Sequence, residues 1–158
     1  MPTPTPPPNP APEVPTEIQL GVSKARILAR GFAQACPACG GRKLFTRWFT
    51  MVERCPTCSL RFERAVGQSI GYIGINTIVC FGATFVVLLG GAIIQIPHIR
   101  TGPLIIAVIL TAGVLPIAFY PSSRTLWTAI DLLLRPLRAG EVDPRLILVD
   151  PKRDKPAA

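Results

Sequence analysis

The 158-residue chain is poor in what hydrolytic and nucleotide-dependent active sites are built from. It has one histidine, His98, and nine Asp and Glu spread along its length, too little for the usual His- or carboxylate-based hydrolase sites. No G-x-G-x-x-G or G-x-x-x-x-G-K-[ST] follows a plausible strand, so neither common phosphate cradle is present. Charged residues make up only 16% of the chain and are missing altogether from residues 65–99. These absences point away from an enzyme and leave no catalytic residue to assign.

What is present falls into three kinds of segment. Residues 1–23 hold eight of the 18 prolines, and residues 24–64 hold nine Lys and Arg against two Glu. Residues 65–99 are 35 consecutive positions without Asp, Glu, Lys or Arg. A net charge of +8 is a possible nucleic-acid footprint, but the cations flank the apolar runs, where the positive-inside rule places them in a membrane protein. The charge therefore reads as topological, and nucleic acid is disfavoured as a partner.

Roughly 20 apolar residues cross a bilayer core as a helix. A first transmembrane helix is expected over residues 69–96, a short loop over 97–102 and a second transmembrane helix over 103–121, with a kink at Pro116. The soluble alternative, a buried core hairpin, fits poorly with runs of this length. Arg54, Arg61 and Arg64 precede the first span and Arg124, Arg135 and Arg138 follow the second, whereas the loop carries only Arg100. Both termini are expected to be cytoplasmic. Residues 1–23 lack an apolar h-region and read as an extended, disordered Pro-rich tail, and 139–158 read as a flexible tail.

The chemically informative stretch is Cys36-Pro-Ala-Cys39-Gly-Gly, followed after Cys39 by fifteen residues and then Cys55-Pro-Thr-Cys58-Ser. This C-x2-C, fifteen, C-x2-C spacing is that of a zinc site, each C-x2-C folding as a knuckle that presents two thiolates to one edge of a tetrahedron. A zinc ribbon is expected over residues 35–64, with Cys36, Cys39, Cys55 and Cys58 as ligands. Leu44, Phe45, Trp48, Phe49, Met51 and Val52 would give its hairpin bulk, and Arg42, Lys43, Arg47 and Arg54 a wet or headgroup-facing side. About 30 residues cannot fold alone, so the metal would supply the folding free energy. Two disulfides suit a cytoplasmic position poorly, and a thioredoxin-like role lacks its βαβ unit. A rubredoxin-like iron uses the same tetrahedron and stays as the alternative to zinc; an iron–sulfur cluster has different common spacings. Four closing thiolates would make zinc structural, with no open position. Cys80, within the first span, reads as a small apolar residue, since Met1 and Met51 are the only thioethers that could join it on copper.

Asn76 is the most polar side chain of the first span and should bond across to another helix. Gly67, Gly71, Gly74 and Gly82 form a small-residue face that the second span, with Gly113, could meet. His98 reads as a solvated loop residue. Residues 24–34 read as a short basic amphipathic segment. In residues 122–138, Leu126, Trp127, Ile130, Leu133, Leu134 and Leu137 recur at helical spacing after Ser122 or Ser123 as a cap. With Arg124, Asp131, Arg135 and Arg138 on the other face, this reads as an interfacial amphipathic helix rather than a third span.

Arg30-Gly31-Phe32, Cys36-Pro-x-Cys39-Gly40, Leu44-Phe45, Cys55-x-x-Cys58, Leu60-Arg61-Phe62-Glu63-Arg64, Gly67, Gly71 and Ile75-Asn76 resemble the bacterial membrane proteins of domain-of-unknown-function family 983. Tyr120-Pro121 and the segment from Leu126-Trp127 to Asp131-Leu132 are similar as well, so the likeness covers roughly residues 26–138. Ser59, where a knuckle usually has Gly, and Ala65-Val66, where acidic residues are expected, depart from the pattern. The resemblance implies a zinc-ribbon membrane hairpin in a bacterial inner membrane. It lends no established activity, and implies an accessory role in respiratory-complex biogenesis through the neighbourhood of some members with haem-copper oxidase and assembly genes.

The expected fold class is thus a membrane α-helical hairpin with a small N-terminal β zinc ribbon and a C-terminal interfacial helix. The expected function is a non-enzymatic inner-membrane adaptor, with membrane lipids and a membrane protein as partners. A redox or metal-handling protein with a four-cysteine iron site is the alternative. A membrane-tethered nucleic-acid binder, using Arg42, Lys43, Arg47 and Arg54 beside Trp48 and Phe49, is the other.

Overall fold

The computed structural model of the chain describes residues 14–64, 67–96, 98, 100–138 and 141–148. It is mostly helical: α1 (Thr16–Leu20), α2 (Lys24–Phe32), α3 (Gln68–Ile94) and α4 (Thr101–Leu134), with a two-stranded antiparallel sheet of β1 (Phe45–Arg47) and β2 (Thr50–Met51) and a 3-10 turn at Pro144–Leu146.

The absence of charge in α3 and in most of α4 is what makes them long, since nothing along them profits from ending the helix in water. At 1.5 Å per residue α3 spans about 40 Å and α4 about 51 Å, each longer than a bilayer core. Of the most apolar stretch of each, 6% and 0% respectively is buried within the protein. A soluble core hairpin would cover those stretches, so the uncovered apolar surface argues for membrane association. The pair is antiparallel. Gly71 meets Trp127, Asn76 Nδ2 donates to the Pro116 carbonyl at 3.2 Å, and Gly91 meets Leu104. Of the glycine face, only Gly71 is used in this way: a side chain at Gly67, Gly74, Gly82 or Gly113 would meet nothing within 4 Å. The Gly113 partnership expected from sequence is absent because α4 turns that residue away from α3. Cys80 is buried beside Asn76, its Sγ 3.3 Å from Asn76 Oδ1.

Gly71 carries a prediction. A Cβ there would lie 2.0 Å from the Trp127 ring, so Gly71→Ala should force the indole out and destabilise the hairpin by about 1–3 kcal/mol. Thermal unfolding in detergent measures the loss, and a smaller residue at Trp127 should remove most of the penalty in a double-mutant cycle.

Three expected boundaries are corrected. The second span does not end at 121 to be followed by a separate helix over 122–138: α4 runs unbroken through Pro116 and Pro121 to Leu134. The proline is tolerated because the surrounding groups are satisfied elsewhere. The Ile117 carbonyl that Pro121 cannot bond finds a donor described below, and one turn on Thr125 Oγ1 donates to the Gly31 carbonyl of α2. Nor does the end of α4 lie with its polar side to water. Its small and polar face, Ser122, Ser123, Thr125, Thr128, Ala129 and Asp131, is buried, while Leu134 is exposed. Ser122 accepts from Gln34 within the helix rather than capping it. α2 covers this face, crossing α4 where Gly31 approaches Thr125 and Ala129 so closely that a Cβ would clash, with Ile27 fully buried.

The two tails are the other corrections. Residues 1–13, 139, 140 and 149–158 lie outside the described residues. Residues 14–23 are not a free extension: Thr16 donates to the Leu132 carbonyl, and the Gln19 amide both donates to and accepts from the Leu137 backbone at 3.1 Å. Residues 141–148 fold back too, with Val142 in the core, Asp143 N on the Cys58 carbonyl at 3.0 Å and Leu148 N on the Gln19 carbonyl at 2.8 Å. Residues 14–23 and 141–148 thus gather on one end of the helical hairpin, where the cysteine module sits.

Candidate metal centre

The module is assembled from two like halves. In the first, Gly40 N donates to the Cys36 carbonyl and Cys36 N to the Gly41 carbonyl, each at 2.8 Å. In the second, Ser59 N donates to the Cys55 carbonyl and Cys55 N to the Leu60 carbonyl, each at 2.9 Å. Both turns need a left-handed residue, Gly40 at φ +79° and Ser59 at φ +61°. Glycine takes that conformation freely and serine does not. Ser59→Gly should therefore stabilise the second knuckle by about 0.5–1 kcal/mol, read as a higher unfolding temperature of the metal-loaded protein.

The knuckles bring all four predicted sulfurs together. Cys36 and Cys58 Sγ are 3.6 Å apart, Cys39 and Cys55 Sγ 3.7 Å, and all four ligand atoms lie within 4.8 Å of one another. The edge of a tetrahedron with metal–sulfur bonds of 2.3 Å is about 3.8 Å. The sulfurs thus stand close to where a tetrahedral ion requires them, and four soft thiolates suit zinc or iron. Without a metal, the hydrogen bond between Cys36 and Cys58, reinforced by burial, drives the Cys36 thiol up. The same bond lowers Cys58 to about 6, and burial pushes Cys39 up to about 11. A bound cation replaces those protons. Gly41 N donates to Cys39 Sγ at 3.3 Å, which favours the thiolate and fixes its orientation.

The centre is not an appended finger. Cys36, Cys55, Cys58, Leu44, Leu60 and Phe62 share one core with Leu20, Leu132, Leu137 and Val142. Arg30 of α2 braces the first knuckle by donating to the Ala38 carbonyl at 2.8 Å. Arg64, leaving the module, enters a buried cluster with Asp131 of α4 at 3.2 Å and Glu141 at 2.7 Å, and donates to the carbonyls of Arg135 at 3.0 Å and Pro136 at 3.1 Å. Of the apolar residues expected to give the hairpin bulk, Leu44, Phe45, Met51 and Val52 do so; Trp48 and Phe49, at the tip, remain exposed. Trp48 Nε1 donates at 2.8 Å to the Ile117 carbonyl, the one Pro121 leaves without its helical partner.

Sequence reading missed the Arg64 cluster, the Trp48 bond and the roles of Thr16, Gln19 and Val142. Asp131 was singled out only as part of the charged face of residues 122–138, without a partner. His98 is exposed in the interhelical connection, and Cys80 stands apart from the four clustered cysteines. No family model, curated protein or solved structure matches the chain.

Proposed function

We propose that the protein is a non-enzymatic bacterial inner-membrane adaptor of the family 983 type. Its cysteine module holds a structural zinc at the cytoplasmic face, and both chain ends lie on that side. The observation that carries this reading is the fusion of a tetrahedral four-cysteine centre to one end of a helical hairpin with uncovered apolar surface. A centre closed by four thiolates has no position for a substrate or water, which favours holding a surface over catalysis. The membership of family 983 draws support from Gly31 and Gly71, two residues of the resemblance at which a side chain would collide with α4, at its backbone beside Thr125 in one case and at the Trp127 ring in the other. A place in respiratory-complex assembly rests on that resemblance alone.

Elemental analysis and a visible spectrum of the detergent-purified protein test the metal: one zinc and no colour are expected. Iron with thiolate charge-transfer bands would replace the adaptor by an electron carrier. Cross-linking in cells tests the role, and should recover a defined membrane protein whose capture is lost on Cys36→Ser; capture that survives loss of the metal overturns it.

A further inference from the structure

Every tryptophan and tyrosine of the chain, two of each, sits at one end of the α3–α4 hairpin. Trp127 lies against Gly71, and the Tyr72 and Tyr120 rings meet edge to face at 5.8 Å. Phe49 reaches Tyr120 at 5.1 Å, and Phe32 lies 6.1 Å from Phe119. Aromatic bands of this kind mark the level where hydrocarbon meets headgroups. Here that level passes through the tip of the metal module.

Two features at and beside the tip are left open to the surroundings. Phe32, Trp48 and Phe49 are 59%, 53% and 55% exposed, although Trp48 is tied to Ile117, itself 56% exposed on the apolar surface of α4. Arg42, Lys43 and Arg47 are exposed and form no ion pair among the described residues. Aromatic surface that water does not favour thus adjoins cations that lack a partner.

We infer that this tip is a lipid-binding element: Trp48 and Phe49 lie in the headgroup layer, and Arg47, with Lys43 and Arg42 behind it, holds the phosphate of an anionic phospholipid. The inference rests on the membrane reading above. The headgroup layer is about 5–8 Å deep on each side of the core. Lys43 and Arg42 stand at the other end of β1 from Arg47, before Leu44, and are set back from that layer toward water. Arg47 can grip a phosphate with two parallel hydrogen bonds, and the cations behind it feel the surface potential over a Debye length of about 10 Å. Lipid fits better than nucleic acid because the aromatic tip is bound to the apolar flank of α4, where a polyanion cannot follow.

The test uses the full-length protein in nanodiscs of phosphatidylcholine, alone or with phosphatidylglycerol. Native mass spectrometry reads the lipids retained, and quenching by acyl-brominated lipid reads the depth of Trp48 in a Trp127→Phe background. Phosphatidylglycerol should be retained several-fold above its bulk share, and Trp48 should be quenched. Replacing Arg47 and Lys43 by Gln should return retention toward the bulk share, since each cation near an anionic surface gives roughly a fivefold preference. Unchanged metal content certifies the fold of that variant. Retention at the bulk share, retention indifferent to the two substitutions, or an unquenched Trp48 overturns the inference. So does displacement of the lipid by a single-stranded oligonucleotide, which would assign the surface to nucleic acid. Failure to enter the disc at all overturns the membrane reading with it, whereas entry without enrichment overturns the lipid site alone.

Discussion

Cys58→Ser should release the metal and unfold residues 35–64 while leaving α3 and α4 helical. The sulfurs of Cys36 and Cys58 are 3.6 Å apart at the buried heart of the module, and its regular structure beyond the knuckles is a strand of three residues paired with one of two. So little secondary structure cannot hold itself together, and metal binding of about 10–16 kcal/mol in comparable small sites is the folding free energy. Metal analysis reads the first loss and hydrogen exchange the second: backbone amides of 35–64 lose protection, while those of the apolar stretches keep it. A chelator should do the same reversibly. Protection of 35–64 that persists without metal would mean that the core shared with Leu132, Leu137 and Val142 suffices, and the module would then be metal-decorated rather than metal-folded.

Arg64→Ala should be the most damaging change away from the cysteines. The Arg64 side chain is 6% exposed and that of Asp131 7%, and the guanidinium ties the exit of the module to α4, to the backbone after it and to Glu141. Removing it leaves the Asp131 carboxylate buried, with the largely exposed Arg135 at 3.8 Å as its remaining ion-pair partner. Breaking one side of such a pair costs about 3–5 kcal/mol, most of it the charge left behind. Thermal unfolding and trypsin cleavage near residue 64 would report it. Replacing Arg64 and Asp131 together by apolar residues should recover much of the loss, because no charge is then stranded. A double variant as unstable as Arg64→Ala would show that the carbonyls of Arg135 and Pro136 are what the guanidinium chiefly serves.

The features legible in the sequence were those written in local pattern. A run of 35 residues without charge announces a long apolar helix, and two C-x2-C pairs announce a shared tetrahedron, because spacing alone fixes what they can do. Asn76 found a partner on the other helix for the reason an amide in apolar surroundings must. The end of α4 was misread because the heptad-like stripe from Leu126 to Leu137 identifies an apolar face but not what it meets. Here protein covers the small and polar face and leaves Leu134 outside. Thr16, Gln19 and Val142 were illegible for a different cause. Their partners lie far along the chain, 116 residues away for Thr16 and 118 for Gln19, and Pro-rich or polar surroundings mask single residues that pay for their ordering through such contacts. Ser59 shows the converse, a departure from glycine visible in the sequence whose positive φ is met in the structure.

The bond from Trp48 to Ile117 makes the two halves of the molecule thermodynamically answerable to one another. A donor carried by the hairpin of the cysteine module completes the helix at the residue that Pro121 deprives, so the intact helix favours the folded module and the folded module favours the intact helix. Coupling of this kind is reciprocal by necessity. Bending or straightening α4 near Pro121 should therefore alter the affinity of the four cysteines for a metal ion. By the same free energy, the ion's arrival must change how readily the helix yields.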